Sequence, residues 1–426
     1  MPSISRRTVL GIVAAGATAS ITGCSSSCPD TDMPEPSHTV ETTTGSGFAT
    51  LPGGAWPSPR FDAANTGYTP VEPPSSAPSI RWQTTVPTAT GDVSVRTPGT
   101  PIVADETVVL TTSAGVFALS LRDGIERWQR DLEPTITEST VDYGEELVSP
   151  VAADGKVFCP TVDGVVALAL DDGGVVWRAD DVTGTGIPVP ADDGLAVPTT
   201  DGLTMLDARD GSQRWLDATD ARLPAVSDGT VVTGGEHTVA LDAETGDRRW
   251  TAPAERSAYP VVADGTVYLG TGDGLIGRSL SDGSERWRVD RGRFLIPPVV
   301  TPESVYAVER PGEAGDATFA FDRIGASSPE PRWCSAVGEA AVTGAADDAL
   351  FAVQSGGVVE FTADFGDAEW RYSPGQRAPG PRVLTGSGPG APTARTPPRL
   401  LRSGTSWAAL PRPAGSLRAR VRCAPP

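Results

Sequence analysis

The chain has 426 residues but one lysine, Lys156, and only two histidines, and residues 371–426 contain no carboxylate at all. Each scarcity removes a class of chemistry. The five cysteines, at positions 24, 28, 159, 334 and 423, form no pair with metal-ligand spacing and imply no disulfide framework. His38 lies in a polar leader and His237 in a turn-rich stretch, so a Ser-His-Asp triad would have to use His237, with no nucleophile-elbow motif beside it. A zinc site lacks a ligand cluster. Gly270-Thr271-Gly272-Asp273-Gly274 leads into a strand rather than a helix, which removes a phosphate-binding loop. Asp171-Asp172-Gly173 and Asp192-Asp193-Gly194 lack the alternating carboxylates of a calcium loop and read as turns. Helical periodicity is missing from the body, and 48 Gly and 40 Pro would interrupt helices of ordinary length.

Acid is abundant instead. Residues 1–370 hold all 54 Asp and Glu with 24 of the 34 bases, and residues 371–426 hold ten Arg, so the net charge of -20 divides into -30 and +10. An acidic body nearly free of lysine suggests a salt-adapted protein, whose self-repulsion is screened as the Debye length falls to about 3 Å at 1 M salt. Nucleic acid is excluded as a partner of that body, because phosphate binding needs stripes of Lys and Arg. A monomer is expected, since high net charge opposes association.

The first residues form an address. Arg6 and Arg7, Leu10 three positions later, a short apolar run and small residues before Cys24 fit an export signal over residues 1–23. The apolar stretch is too short to span a bilayer as a stable helix. Ser5-Arg6-Arg7 resembles the Tat signal, and Ile21-Thr22-Gly23-Cys24 resembles a lipobox, which implies lipid attachment at Cys24 and a place on the outer face of the cell membrane. Residues 24–50 are rich in Ser, Thr, Pro and Gly and are expected to be a flexible stalk.

From residue 51 to 370 the chain repeats. Trp82, Trp128, Trp177, Trp215, Trp250, Trp287, Trp333 and Trp370 fall in one register, and six of the seven after Trp82 have Gly four positions earlier. The exception is Trp333, preceded by Pro329. Each unit reads as about four short antiparallel strands joined by Asp-Gly or Thr-Gly turns, where Gly supplies positive φ and Asp bonds its own backbone. Four strands at a period of about 40 residues predict an all-β propeller whose recurrent Trp is a blade-docking, structural residue.

The unit Ala240-Leu241-Asp242-Ala243-Glu244-Thr245-Gly246 with Trp250 resembles the tryptophan-docking repeat of pyrroloquinoline quinone (PQQ) propellers, and most other units match it in part. Trp56-Pro57-Ser58-Pro59-Arg60-Phe61-Asp62 with Asn65-Thr66-Gly67-Tyr68 looks like the lead-in to that family's first blade. The resemblance implies an eight-bladed plan. It also implies two branches: quinoprotein dehydrogenases, which carry PQQ and calcium and oxidise alcohols or sugars, and non-enzymatic lipoproteins similar to BamB, which bind proteins. The lack of adjacent cysteines, the length and the lipobox favour the second branch, hence no cofactor, no catalytic residue, no metal and an unnamed protein partner.

The repeat grammar stops after Trp370. With Trp82 as the outermost strand of an eighth blade, three inner strands are still owed where the basic, Pro-rich residues 371–426 stand, so the last blade is expected to be incomplete and the tail to be out-of-frame translation or a disordered extension.

Overall fold

Strands begin where Val, Ile and Ala alternate or run together and end at Asp-Gly pairs, and this rhythm sets the architecture. The computed structural model describes residues 56–73, 81–87 and most of 99–372, so the expected signal and stalk lie outside the described residues, as does the expected tail apart from its first two residues, which end a strand. Sheet I is a four-stranded antiparallel unit of Ile102–Ala104, Thr107–Thr112, Gly115–Ser120 and Glu126–Arg130. Sheets II to VI repeat it, opening on Val151–Ala153, Val189–Ala191, Ala225–Ser227, Val261–Ala263 and Val299–Val300. Sheet VII runs Ala340–Ala346, Ala349–Gln354, Gly357–Thr362 and Ala368–Tyr372, and Tyr68–Thr69 adds a fifth, parallel strand beside the first. First strands of consecutive sheets touch from I through VII, so they line the axis and the fourth strands form the rim.

The eight-bladed plan is therefore corrected. The described residues make six four-stranded blades and one five-stranded sheet, and no eighth sheet of that kind. Trp82 lies in no strand, so the expected outermost strand of an extra blade does not form there, and the residues expected to supply its three inner strands lie outside the described residues from 373 on.

In sheets II, IV and V the 1–2 turns carry Asp and Gly in the left-handed region, as at Asp154 (φ 49°) and Gly155 (φ 68°), the geometry that matches a right-handed strand twist. Sheet I has Asp105 and Glu106 there at φ 41° and 58°, so this turn forms without glycine. In every sheet the third and fourth strands slip register just after the residue opposite the tryptophan, for example between Ala118 and Leu119 opposite Trp128. That bulge bends the outer strand and fixes where its ring points.

Packing is between sheets. Val109, Ala118 and Trp128 of sheet I form one buried cluster with Val157, Val166 and Leu168 of sheet II, and the pattern repeats around to sheets VI and VII. At the two ends of the series the clusters are separate: Phe351, Val358, Trp370 and Tyr372 on sheet VII, and Val86, Val108, Leu110 and Phe117 on the opposite side, against sheet I.

Candidate functional site

The eight tryptophans expected to dock blades are the best-defined recurrent side chains, and six share one geometry. Each ring lies on the left-handed glycine of the following sheet and donates Nε1–H to the carbonyl three residues before it. Trp82 pairs in this way with Gly124 and Leu121 O (2.9 Å), Trp128 with Gly173 and Leu170 O (2.9 Å), and Trp177 with Gly211 and Ala208 O (3.1 Å). Trp215, Trp250 and Trp333 repeat it on Gly246, Gly283 and Gly366. Where a glycine stands four positions before a Trp, it thus receives the ring of an earlier unit rather than its own. Trp287 departs: its ring lies over Gly277 of its own sheet, where an added Cβ would meet Cε2 at 2.2 Å. Trp370 is buried, and its Nε1 has no hydrogen-bond partner among the described residues. Opposite it stands Glu360, wholly buried, where the other sheets place Ala, Met or Gly.

The axis carries a second constellation that the repeat register does not reveal. Residues 56–69 run around the first strands, beginning on sheet I and ending on sheet VII. Trp56 and Val103 exchange backbone hydrogen bonds of 2.7 and 2.9 Å. The amides of Ala152, Val226, Val262, Val300 and Ala345 then donate in turn to the carbonyls of Pro57, Ala63, Ala64, Thr66 and Gly67, at 2.6 to 2.9 Å. All of these amides sit within first strands and would otherwise face the axis unsatisfied. Sheet III has Pro190 at the centre of its first strand, a residue with no N–H to satisfy, and it makes no such bond.

Side chains complete the axial contacts. Asn65, 1% exposed and left-handed at φ 60°, donates Nδ2–H to Pro224 O (2.9 Å) and Pro260 O (3.1 Å) in the connections entering sheets IV and V. Arg60 donates to Pro298 O before sheet VI and to Asn65 O. Burial pushes the Arg60 guanidinium down to about 10, with the Asp62 carboxylate opposing the shift. Burial also raises Asp62, against the hydrogen bonds it accepts from Thr66 N–H (2.9 Å) and Thr66 Oγ1–H (2.5 Å). Phe61, at φ 74°, is held in a conformation that disfavours a bulky residue, a strain that the surrounding contacts sustain.

Other sequence candidates fall in ordinary places. Arg6, Arg7 and Cys24 lie outside the described residues. His237 opens an exposed strand end. Asp172 Oδ1 accepts from Gly174 N–H (2.7 Å) as a turn residue, and Asp193 pairs with Arg209 (2.8 Å) and Arg214 (2.6 Å). Cys334 is disulfide-bonded, a bond that the cysteine spacings did not suggest. Cys159 is free and fully buried, and burial pushes its thiol up to about 12. A folded-state value above the unfolded one, about 8.5, means that the native chain holds this proton more tightly, so the thiol's contribution to stability falls as pH rises from about 8.5 towards 12. Native protein treated with iodoacetamide at pH 8 is expected to show no label on the Cys159 peptide by mass spectrometry, and urea-unfolded protein full label.

The residues that sequence reading missed are Arg60 and Asn65 as axial anchors. They lay within a stretch set apart by an Asp and an Asn-Thr-Gly outside the repeat, which marked it as special without saying what it touched.

A family model described as outer membrane protein assembly factor BamB matches residues 79–165 and 162–372. No curated protein matches the sequence. Among solved structures, the quinohemoprotein alcohol dehydrogenase ADHIIG of Pseudomonas putida HK5 is 15% identical, with 78% of this chain and 75% of that one covered at a TM-score of 0.59. BamB from Moraxella catarrhalis is 17% identical, with 68% and 91% covered at 0.51. A quinohemoprotein alcohol dehydrogenase from Comamonas testosteroni is 14% identical, with 76% and 74% covered at 0.58. Identities this low bear on the fold alone.

Proposed function

Because the chain belongs to the family of outer membrane protein assembly factor BamB, as the match over residues 79–372 shows, we propose that it is a lipid-anchored propeller that binds another protein at the cell surface and catalyses no reaction. The observation that carries this reading is the filled axial mouth. Small-molecule sites are concave, and here the chain's own residues 56–69 occupy one end of the axis and satisfy the amides around it. The rim offers a surface for macromolecules instead. On the outer strands of sheets II and III, Val175, Val176 and Leu216 are 48, 45 and 48% exposed, and Ile125 beside the outer strand of sheet I is 66% exposed.

A PQQ and calcium site needs a convergent set of oxygen donors. Among the described residues no three His, Cys, Asp or Glu side chains are grouped to hold a metal ion, and adjacent cysteines do not occur in the sequence. We therefore propose that the chain carries no PQQ and no calcium. Titration with PQQ and calcium is expected to give no saturable absorbance change and no dye-linked oxidation of alcohols or sugars, and saturable binding with turnover would replace the scaffold reading by the dehydrogenase one. A cross-linking pull-down from membranes is expected to recover one stoichiometric protein, lost when Val175 and Val176 are both changed to Glu.

The same proposal places the protein by its leader. Arg6 and Arg7 direct export by a Tat-like route, and Cys24 carries the lipid that holds the propeller outside the membrane. Metabolic labelling with a radioactive isoprenoid or fatty-acid precursor is expected to mark the wild type and leave Cys24→Ser unlabelled and released into the medium. Equal labelling of the two would remove the anchor from the proposal.

A further inference from the structure

The contacts of residues 56–69 differ from those of a propeller strand in three ways. Only Tyr68–Thr69 pairs as a strand; Trp56 makes one two-bond bridge to Val103 of sheet I, and the residues between reach sheets II, IV, V and VI through one backbone bond each. Its side chains read carbonyls of the connections between sheets: Asn65 those of Pro224 and Pro260, Arg60 that of Pro298. Residues 70–101 separate it in the chain from the first strand of sheet I, so its position is set by what it touches more than by what it is attached to.

These are the contacts of a bound peptide. Main-chain bonds supply affinity in such a mode, and a few side chains supply specificity. We propose that the axial mouth is a peptide-recognition site, which residues 56–69 of the chain itself fill as an internal ligand. The first strands of sheets I, II and IV to VII present one donor each, and Pro190 leaves sheet III silent. The recognised pattern is an Arg followed five positions later by an Asn in the left-handed conformation, then Thr-Gly, the Gly67 backbone also being left-handed at φ 67°. Two buried amide donors on Asn65 make that position the chief discriminator, because an analogue without them leaves two carbonyls short of their partners. The proposal shares with the protein-binding reading the observation that residues 56–69 fill the axial mouth, but its test reads the axis while the pull-down reads the rim, so the two fail separately.

The test cuts the tether in the full chain. A specific protease site is inserted after Glu72, which is exposed, and the purified protein is cleaved and mixed with a fluorescein-labelled peptide of residues 55–70. The expected result is an unchanged far-ultraviolet circular dichroism spectrum and a saturable rise in anisotropy as the labelled peptide replaces the severed segment. A peptide with Asn65→Ala is expected to bind about tenfold or more weakly, and one with Arg60→Ala also more weakly. Three results overturn the proposal. One is a cleaved chain that stays folded but takes up no labelled peptide; another is an Asn65→Ala peptide that binds as well as the native one. Loss of the strand spectrum on cleavage is the third, because it makes the segment part of the core and not a ligand.

Discussion

Gly283→Ala is expected to lower stability by about 2–5 kcal/mol, while Gly265→Ala, in a turn of the same sheet, costs only about 1–2 kcal/mol. Both glycines are left-handed, at φ 72° and 64°, so both substitutions bear the cost of placing a Cβ in that region. They differ in what the new atom meets. At Gly265 nothing lies within 4 Å, whereas at Gly283 the Cβ would stand 2.6 Å from Cε3 and 2.7 Å from Cδ2 of Trp250. That ring is pinned by its Nε1–H bond to Leu280 O (2.7 Å), so it cannot retreat without losing the bond. Overpacking of this kind adds about 1–3 kcal/mol. Urea midpoints of the two variants at constant slope measure the difference. Equal midpoints would show that the ring yields freely and that the interface between sheets IV and V is not set by the glycine.

Asn65→Ala carries the second large effect, about 3–5 kcal/mol, with Asn65→Gly intermediate at about 2–3 kcal/mol. Asparagine is one of the few side chains that tolerates the left-handed region, and glycine tolerates it fully, so the Gly variant isolates the two lost hydrogen bonds. The Ala variant adds the conformational penalty. Because Asn65 is 1% exposed, water cannot easily replace its donors to Pro224 O and Pro260 O. Hydrogen exchange is expected to accelerate at the amides of Val226 and Val262, whose acceptors are the neighbouring Ala63 and Ala64, before the strands of sheets IV and V themselves lose protection. Wild-type exchange at those amides in Asn65→Ala would show that the backbone bonds hold the segment without the side chain.

These two sites mark where sequence reading succeeds and where it stops. The period of the tryptophans, the Asp-Gly turns and the alternation of Val and Ala are local quantities, so four-stranded units and their boundaries were legible from residues alone. Trp250 could be assigned to packing because a large ring recurring at one place in each unit has few other uses. What it packs on was not legible. Gly246 and Trp250 are neighbours in sequence, yet Trp250 lies on Gly283 and Gly246 receives Trp215. The offset of one unit is created by radial stacking and leaves no trace in the spacing. The number of sheets failed for the same reason: Trp82 keeps the register and even the docking bond to Leu121 O, but belongs to no strand.

The strand-and-turn grammar, the acidic body and the lack of a histidine or cysteine cluster in the sequence all follow from residue identity and short-range spacing. That residues 56–69 occupy the axis follows from the fold alone. Their contacts join positions as far apart as Arg60 and Pro298, and a backbone carbonyl in want of a donor looks the same in every sequence until the fold brings the donor to it.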